Sequence, residues 1–178
     1  MQKGCQMMLR ALFLSLLMMS AQTASAQHDA MTPERLVAII LDLDPDATVT
    51  PGGIELSIED IPVMVMMAPA ADRMRAMVPI ASVQDVTPQE MERMMQANFD
   101  TALDARYAVA QGRVWGVYIH PLGALQRAQF LSGLAQTVNL ARTYGTLYSG
   151  GAQVFGGGDS AGLYDGLLND LLNRGQEL

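Results

Sequence analysis

Apolar positions along this chain change period several times, and each change marks an element. Leu36, Ile39, Ile40 and Leu43 recur at helical spacing, so a helix is expected from Pro33 to about Leu41. Thr32 can cap it, Pro33 takes the favoured first position, and Met31 can pack on Leu36 as a hydrophobic staple. Asp42, Asp44, Pro45 and Asp46 end it. After the turn Pro51-Gly52-Gly53 the period becomes two. Ile54, Leu56 and Ile58 alternate with Glu55, Ser57 and Glu59, the pattern of a strand with one wet face. Ile61 to Met67 is apolar throughout, which fits a central strand or one facing both core and ligand. Ala68-Pro69-Ala70 turns the chain. Met74 to Val83 then reads as another strand, in which Pro79 marks an edge or a bulge.

Helical spacing returns after Thr87. Thr87-Pro88-Gln89-Glu90 is a capping box, Val86 can staple onto Met91, and Met91, Met94, Met95 and Phe99 share one face. The stretch from Asp100 to Asp104 closes this helix. Arg106 to Ala110 and Arg113 to Ile119 read as a hairpin across Gln111-Gly112. Trp115, Val117 and Ile119 point to one side of it, and Val114, Gly116 and Tyr118 to the other. Pro121 opens a long helix reaching about Tyr144, with Leu122, Leu125, Leu131, Leu134, Val138 and Ala141 on its buried side. Ser149 to Gly158 is glycine-rich and reads as a linker. An acidic amphipathic segment follows, with Leu163, Leu167, Leu168, Leu171 and Leu172 clustered.

Separate strand and helix blocks with hairpin connections predict an α+β fold with a mainly antiparallel sheet. The expected order is α-β-β-β-α-β-β-α, plus a C-terminal linker and short helix. The expected units are residues 1–26, one α+β domain over 27–147, the linker over 148–159 and the amphipathic segment over 160–178.

The start of the chain changes the setting. Lys3 and Arg10 precede an apolar run from Ala11 to Ala21, and Ala24-Ser25-Ala26 offers a small-x-small cleavage site. Residues 1–26 therefore read as a signal peptide cleaved near Ala26, which predicts a periplasmic or secreted bacterial protein. The run is about half the ~20 residues that span a bilayer, so no membrane insertion is expected after cleavage. The single cysteine, Cys5, lies before the run and leaves with it. The remaining chain then has no disulfide, thiolate metal site or cysteine nucleophile. Of 11 cations, Lys3 and Arg10 are lost, which leaves nine arginines against 18 acids. That balance argues against nucleic acid and against anionic membrane surfaces, both of which need clustered cations.

Candidate catalytic motifs fail on context. Gly158-Asp159-Ser160-Ala161-Gly162 fits the G-x-S-x-G nucleophile elbow, but no histidine follows it and no clear strand precedes it. Gly156-x-Gly158-x-x-Ala161 lacks the βαβ setting of a dinucleotide fingerprint. His28 and His120 have no metal-spaced partners. Asp42-x-Asp44-x-Asp46 opens like a calcium loop but has Ala47 and Gly53 where glycine and a bidentate glutamate belong, so it reads as a solvated helix end. Glu59 and Asp60, adjacent in sequence, read as a turn. No catalytic residue, metal or cofactor is expected.

One compositional feature remains. Met64, Met66, Met67, Met74, Met77, Met91, Met94 and Met95 fall within a short stretch. Methionine adapts to irregular surroundings and is over-used at promiscuous binding surfaces, although an ordinary core would use it too.

The stretch Met94-Met95-Gln96-Ala97-Asn98-Phe99, the hairpin after it, His120-Pro121-Leu122 and the long last helix together resemble the type III secretion chaperone fold. The Tir chaperone (CesT) family and YbjN-like proteins share that fold. The resemblance covers roughly Thr32 to Tyr144. It implies a small dimerising or peptide-binding module without an active site, holding partly unfolded segments by strand addition and groove packing. Export and the added C-terminal segment depart from the family's cytoplasmic pattern. The resulting expectation is an exported, non-enzymatic module that binds a protein segment or a second copy of itself. Its candidate contacts are Val63, Met64, Val65, Met66, Trp115 and Val117, which lie on the apolar strands. Two alternatives are an envelope protein clasped by Leu163–Leu172, and a serine hydrolase acting through Ser160.

Overall fold

The computed structural model describes residues 30–100, 103–144 and 161–174. The elements run α1 (Pro33–Leu43), β1 (Thr48–Thr50), β2 (Gly53–Ile58), β3 (Ile61–Ala68), β4 (Arg73–Ser82), α2 (Pro88–Asp100), β5 (Arg106–Ala110), β6 (Arg113–His120), α3 (Arg127–Thr143) and α4 (Ala161–Arg174). The fold is α+β, as the patterning predicts. The six strands lie in the order β1-β2-β3-β4-β6-β5, and every neighbouring pair is antiparallel.

The local signals explain most boundaries. Thr32 Oγ1 accepts from the Arg35 amide at the start of α1. Thr87 Oγ1 accepts from the Glu90 amide while the Glu90 carboxylate accepts from the Thr87 amide, which is the capping box of α2. Gln111 and Gly112 both adopt positive φ, +52° and +70°, as a two-residue hairpin turn twisted to match its strands requires. Glu59 and Asp60 do the same between β2 and β3, so these carboxylates form a turn. The register of β4 slips between Pro79 and Ala81, which places the bulge where proline removes a ladder donor from a central strand.

Three expectations need correction. A short strand β1, Thr48–Thr50, precedes the expected three and folds back on β2 across the Pro51-Gly52 turn. The last long helix begins at Arg127 and not at Pro121. The Leu122 amide donates to Asp72 O and the Gly123 amide to Asp72 Oδ1, while Gly123 O accepts from the Met31 amide. These bonds hold residues 121–126 as a docked turn, and the Gln129 side chain then meets the Gln126 amide to open α3. In α2 the buried side carries Met94 and Ala97; Met95 and Phe99 point outward, 44% and 82% exposed.

One face of the sheet holds the core. Ile54, Leu56, Ile58, Val63, Val65, Met74, Ala76, Val78 and Tyr118 meet Leu36, Ile40, Phe130, Leu131, Leu134 and Val138 of α1 and α3. Helix α3 packs on β4 and β6. Gly133 makes that approach possible: a Cβ there would sit 2.4 Å from the Tyr118 ring. Helix α4 packs on α3 and α1, burying Leu167 and Leu171. The Tyr164 hydroxyl lies 2.8 Å from Ser132 Oγ, and Ser132 Oγ in turn accepts from Gln136 Nε2. Helix α2 covers a second cluster with Tyr107 and Val114 at the β5 end.

Candidate functional site

Alternation gives the sheet a second face, and among the described residues no helix packs on it. Cross-strand register builds this face in rungs. Glu55 sits opposite Met64, Met64 opposite Met77, Met77 opposite Val117, and Val117 opposite Arg106. The next rung runs Met66, Arg75, Ile119. On the other side Pro79, Trp115 and Ala108 align. The result is an apolar band of Met64, Met66, Met77, Trp115, Val117 and Ile119 on a pleated surface. Met66 is 39% exposed and Ile119 53% exposed. The Trp115 indole donates to Ala110 O at 3.0 Å, which ties its ring to the hairpin end. The band is interrupted by Arg75 between Met66 and Ile119, and it is the largest apolar stretch of the open face.

The structure divides the candidate contacts. Met64, Met66, Trp115 and Val117 share the open face. Val63 and Val65 do not; both are fully buried on the helix side. The all-apolar run from Ile61 to Met67 concealed this division, because a strand sends successive side chains to opposite faces whether or not polarity marks them. The methionines divide likewise. Met74 and Met94 are core residues, whereas Met64, Met66 and Met77 lie on the open face. Met77 and Ile119 join the candidate contacts on this face. Ile119 was within reach, since it follows Trp115 and Val117 at strand spacing. Met77 needed the β3–β4 register, which the sequence does not display.

Side chains take main-chain groups at one point near each edge of the sheet. On β5, Asn98 Nδ2 donates to Tyr107 O at 3.0 Å, and the Tyr107 amide donates to Asn98 Oδ1 at 2.7 Å. The buried Gln136 Oε1 accepts from the amides of Asp104 and Ala105 just before that strand. On the opposite edge β1 covers only part of β2. Beyond it, Asp44 Oδ2 accepts from the Ser57 amide at 2.8 Å. Asp44 Oδ1 also accepts from the Asp46 amide, and Asp42 pairs with Arg127, so this acidic run serves the fold.

His120 stacks on Tyr118 with ring centroids 5.9 Å apart, and its Nδ1 lies 2.8 Å from Pro121 O. Among the described residues no cluster of three His, Cys, Asp or Glu could hold a metal ion, and no helix is long and apolar enough to cross a membrane. Residues 1–29, His28 included, lie outside the described residues, as do Ser160 and the glycines before it.

No family profile matches the chain, and no curated protein matches it in sequence. Among solved structures it is similar to the HopA1–SchA chaperone–effector complex, with a TM-score of 0.47 and 11% identity over 61% of this chain and 91% of that one. It is also similar to the ExsC–ExsE complex, with a TM-score of 0.49 and 12% identity over 62% of this chain and 94% of that one.

Proposed function

We propose that this chain is a non-enzymatic binding module that holds a segment of another protein on the open face of its sheet. The observation that carries the reading is the uncovered apolar band from Met64 to Ile119, on a sheet whose other face is fully used for the core. Four or more unpaired apolar side chains at strand register offer an amphipathic segment a ready surface. The occupied edges select among binding modes. Asn98 takes both main-chain groups of Tyr107 on β5 and Asp44 takes the Ser57 amide beside the short β1, which interrupts each edge, so packing on the face is favoured over strand addition. Export after removal of residues 1–26 belongs to the same proposal, supported by the positive flank, the apolar run and the small residues before Gln27.

A double variant, Met64→Asp with Met66→Asp, tests the surface. Both side chains lie on the open face, so the variant is expected to fold, which far-ultraviolet circular dichroism checks. Partner recovery by cross-linking in the producing cell should fall at least severalfold, while Val49→Asp, at the far edge, should leave it unchanged. Undiminished recovery by the folded double variant overturns the surface.

A further inference from the structure

We infer that the segment bound on the open face is acidic, with Asp or Glu set among its apolar side chains. This deepens the proposed function and rests on the open face being the binding surface. Four arginines occupy outward positions of the strands that form it. Arg73 and Arg75 alternate with the buried Met74 and Ala76 on β4, Arg106 lies opposite Val117, and Arg113 is two residues before Trp115. Arg75 lies within the apolar band, between Met66 and Ile119. None of the four is in an ion pair among the described residues. Arg73 Nη1 donates to Asp72 O at 2.7 Å, and Arg106 Nη1 donates to the carbonyls of Leu103 and Ala105. Away from this face Arg127, Arg142 and Arg174 each pair with a carboxylate, that of Asp42, Glu59 and Asp170, while Arg93 of α2 does not pair among the described residues. Among strand residues on the open face the single carboxylate is Glu55, at the far end of a rung from Arg106.

A chain of net charge −7 therefore gathers uncompensated positive charge on its apolar face. Each arginine can also lay its carbon stem along the neighbouring apolar side chains and keeps guanidinium N–H groups for a carboxylate, since Arg73 and Arg106 use only Nη1 on backbone carbonyls. A second copy docked face to face would bring the same four cations together, which opposes self-association through this surface. An extended anionic bilayer would meet the negative field of the whole chain, whereas a short acidic segment interacts with these arginines within a Debye length.

The chain has one tryptophan, and it stands in this face, so Trp115 emission reports occupancy directly. Two synthetic amphipathic helical peptides serve as probes, with the same leucine stripe and either glutamate or lysine on the polar flanks. The glutamate peptide is expected to shift Trp115 emission and to bind at least about tenfold more tightly than the lysine peptide. Arg75→Glu with Arg113→Glu, both exposed positions, should remove that preference; Arg75→Gln alone should reduce it, and added salt should weaken it. Equal affinity for the two peptides, or a preference untouched by the charge reversals, overturns the charge assignment and leaves the binding face standing. A Trp115 signal that neither peptide moves overturns both. Phosphatidylglycerol vesicles that shift Trp115 and displace the glutamate peptide overturn the inference in favour of a membrane surface.

Discussion

Asn98 acts toward Tyr107 as a neighbouring strand would. Its amide group gives and receives one main-chain hydrogen bond at the same residue, at 3.0 and 2.7 Å. This closes the β5 edge with a side chain from α2 and aligns that helix with the sheet. Asn98→Ala removes both bonds and leaves a donor and an acceptor at a part-buried position. The expected loss is about 1–3 kcal/mol, read as a lower denaturant midpoint with an unchanged slope. Hydrogen exchange at the Tyr107 amide should accelerate more than elsewhere in the sheet. A variant as stable as the parent would show that the edge is not closed by Asn98.

The same residue shows how far the sequence could be read. Asn98 stood out near the end of a helix, but its partner nine positions later depends on how α2 docks. Local chemistry was legible wherever it is self-contained: the caps at Thr32 and Thr87, the turn at Gln111-Gly112, and alternation in β2 and β6. It failed where an outcome depends on distant residues. Asp72 anchors Gly123 and so delays α3 to Arg127, a relation across 51 positions that no local pattern encodes. In β3 the missing polarity contrast hides which side chains point inward, so the sequence does not separate Val63 and Val65 from a surface they do not reach. In α2, Met95 and Phe99 satisfy the helical period of Met91, yet the helix turns Met94 and Ala97 to the core.

Gly133→Ala tests the closest approach of helix to sheet. The added methyl would lie 2.4 Å from the Tyr118 ring, which is itself buried against the core and cannot swing away without displacing neighbours. Overpacking of this kind costs about 1–3 kcal/mol. The melting temperature should fall, and restoring space with Gly133→Ala plus Tyr118→Leu should recover part of the loss. A single variant with unchanged melting would contradict the close approach of α3 to β6 at Gly133.

Two phenols set the behaviour of the fold in alkali. Burial pushes both Tyr107 and Tyr118 up to about 12, with the nearby Asp104 charge adding to Tyr118. An unfolded tyrosine ionises near 10, so between about pH 10 and 12 the unfolded chain has lost protons that the folded one retains. Stability from these groups is complete below pH 10 and is lost as pH rises toward 12. Absorbance titration near the phenolate band should show a late phase toward pH 12 that shrinks in Tyr107→Phe and in Tyr118→Phe. The denaturant midpoint should fall over the same interval, and less steeply in Tyr107→Phe. A titration in which neither variant shortens the late phase would contradict the burial.

The last helix decides between a clasp within the chain and an arm for a neighbour. Leu167 and Leu171 are buried against α1 and α3, and Tyr164 meets Ser132 beside the buried Gln136. Those contacts make α4 part of this chain's own core. Leu171→Ala should therefore cost about 2–4 kcal/mol, since the site is enclosed and a cavity would remain. Tyr164→Phe and Ser132→Ala, made singly and together, should show a coupling of about 0.5–1.5 kcal/mol. Truncation after Tyr148 should lower the melting temperature, increase dye binding to the uncovered side of α3, and leave Trp115 emission on the opposite face unchanged. If α4 instead served a neighbouring molecule, truncation would change the size measured by chromatography while the stability of the domain stayed the same. The burial of Leu167 and Leu171 predicts the opposite: stability falls, and the full-length chain keeps its size on dilution.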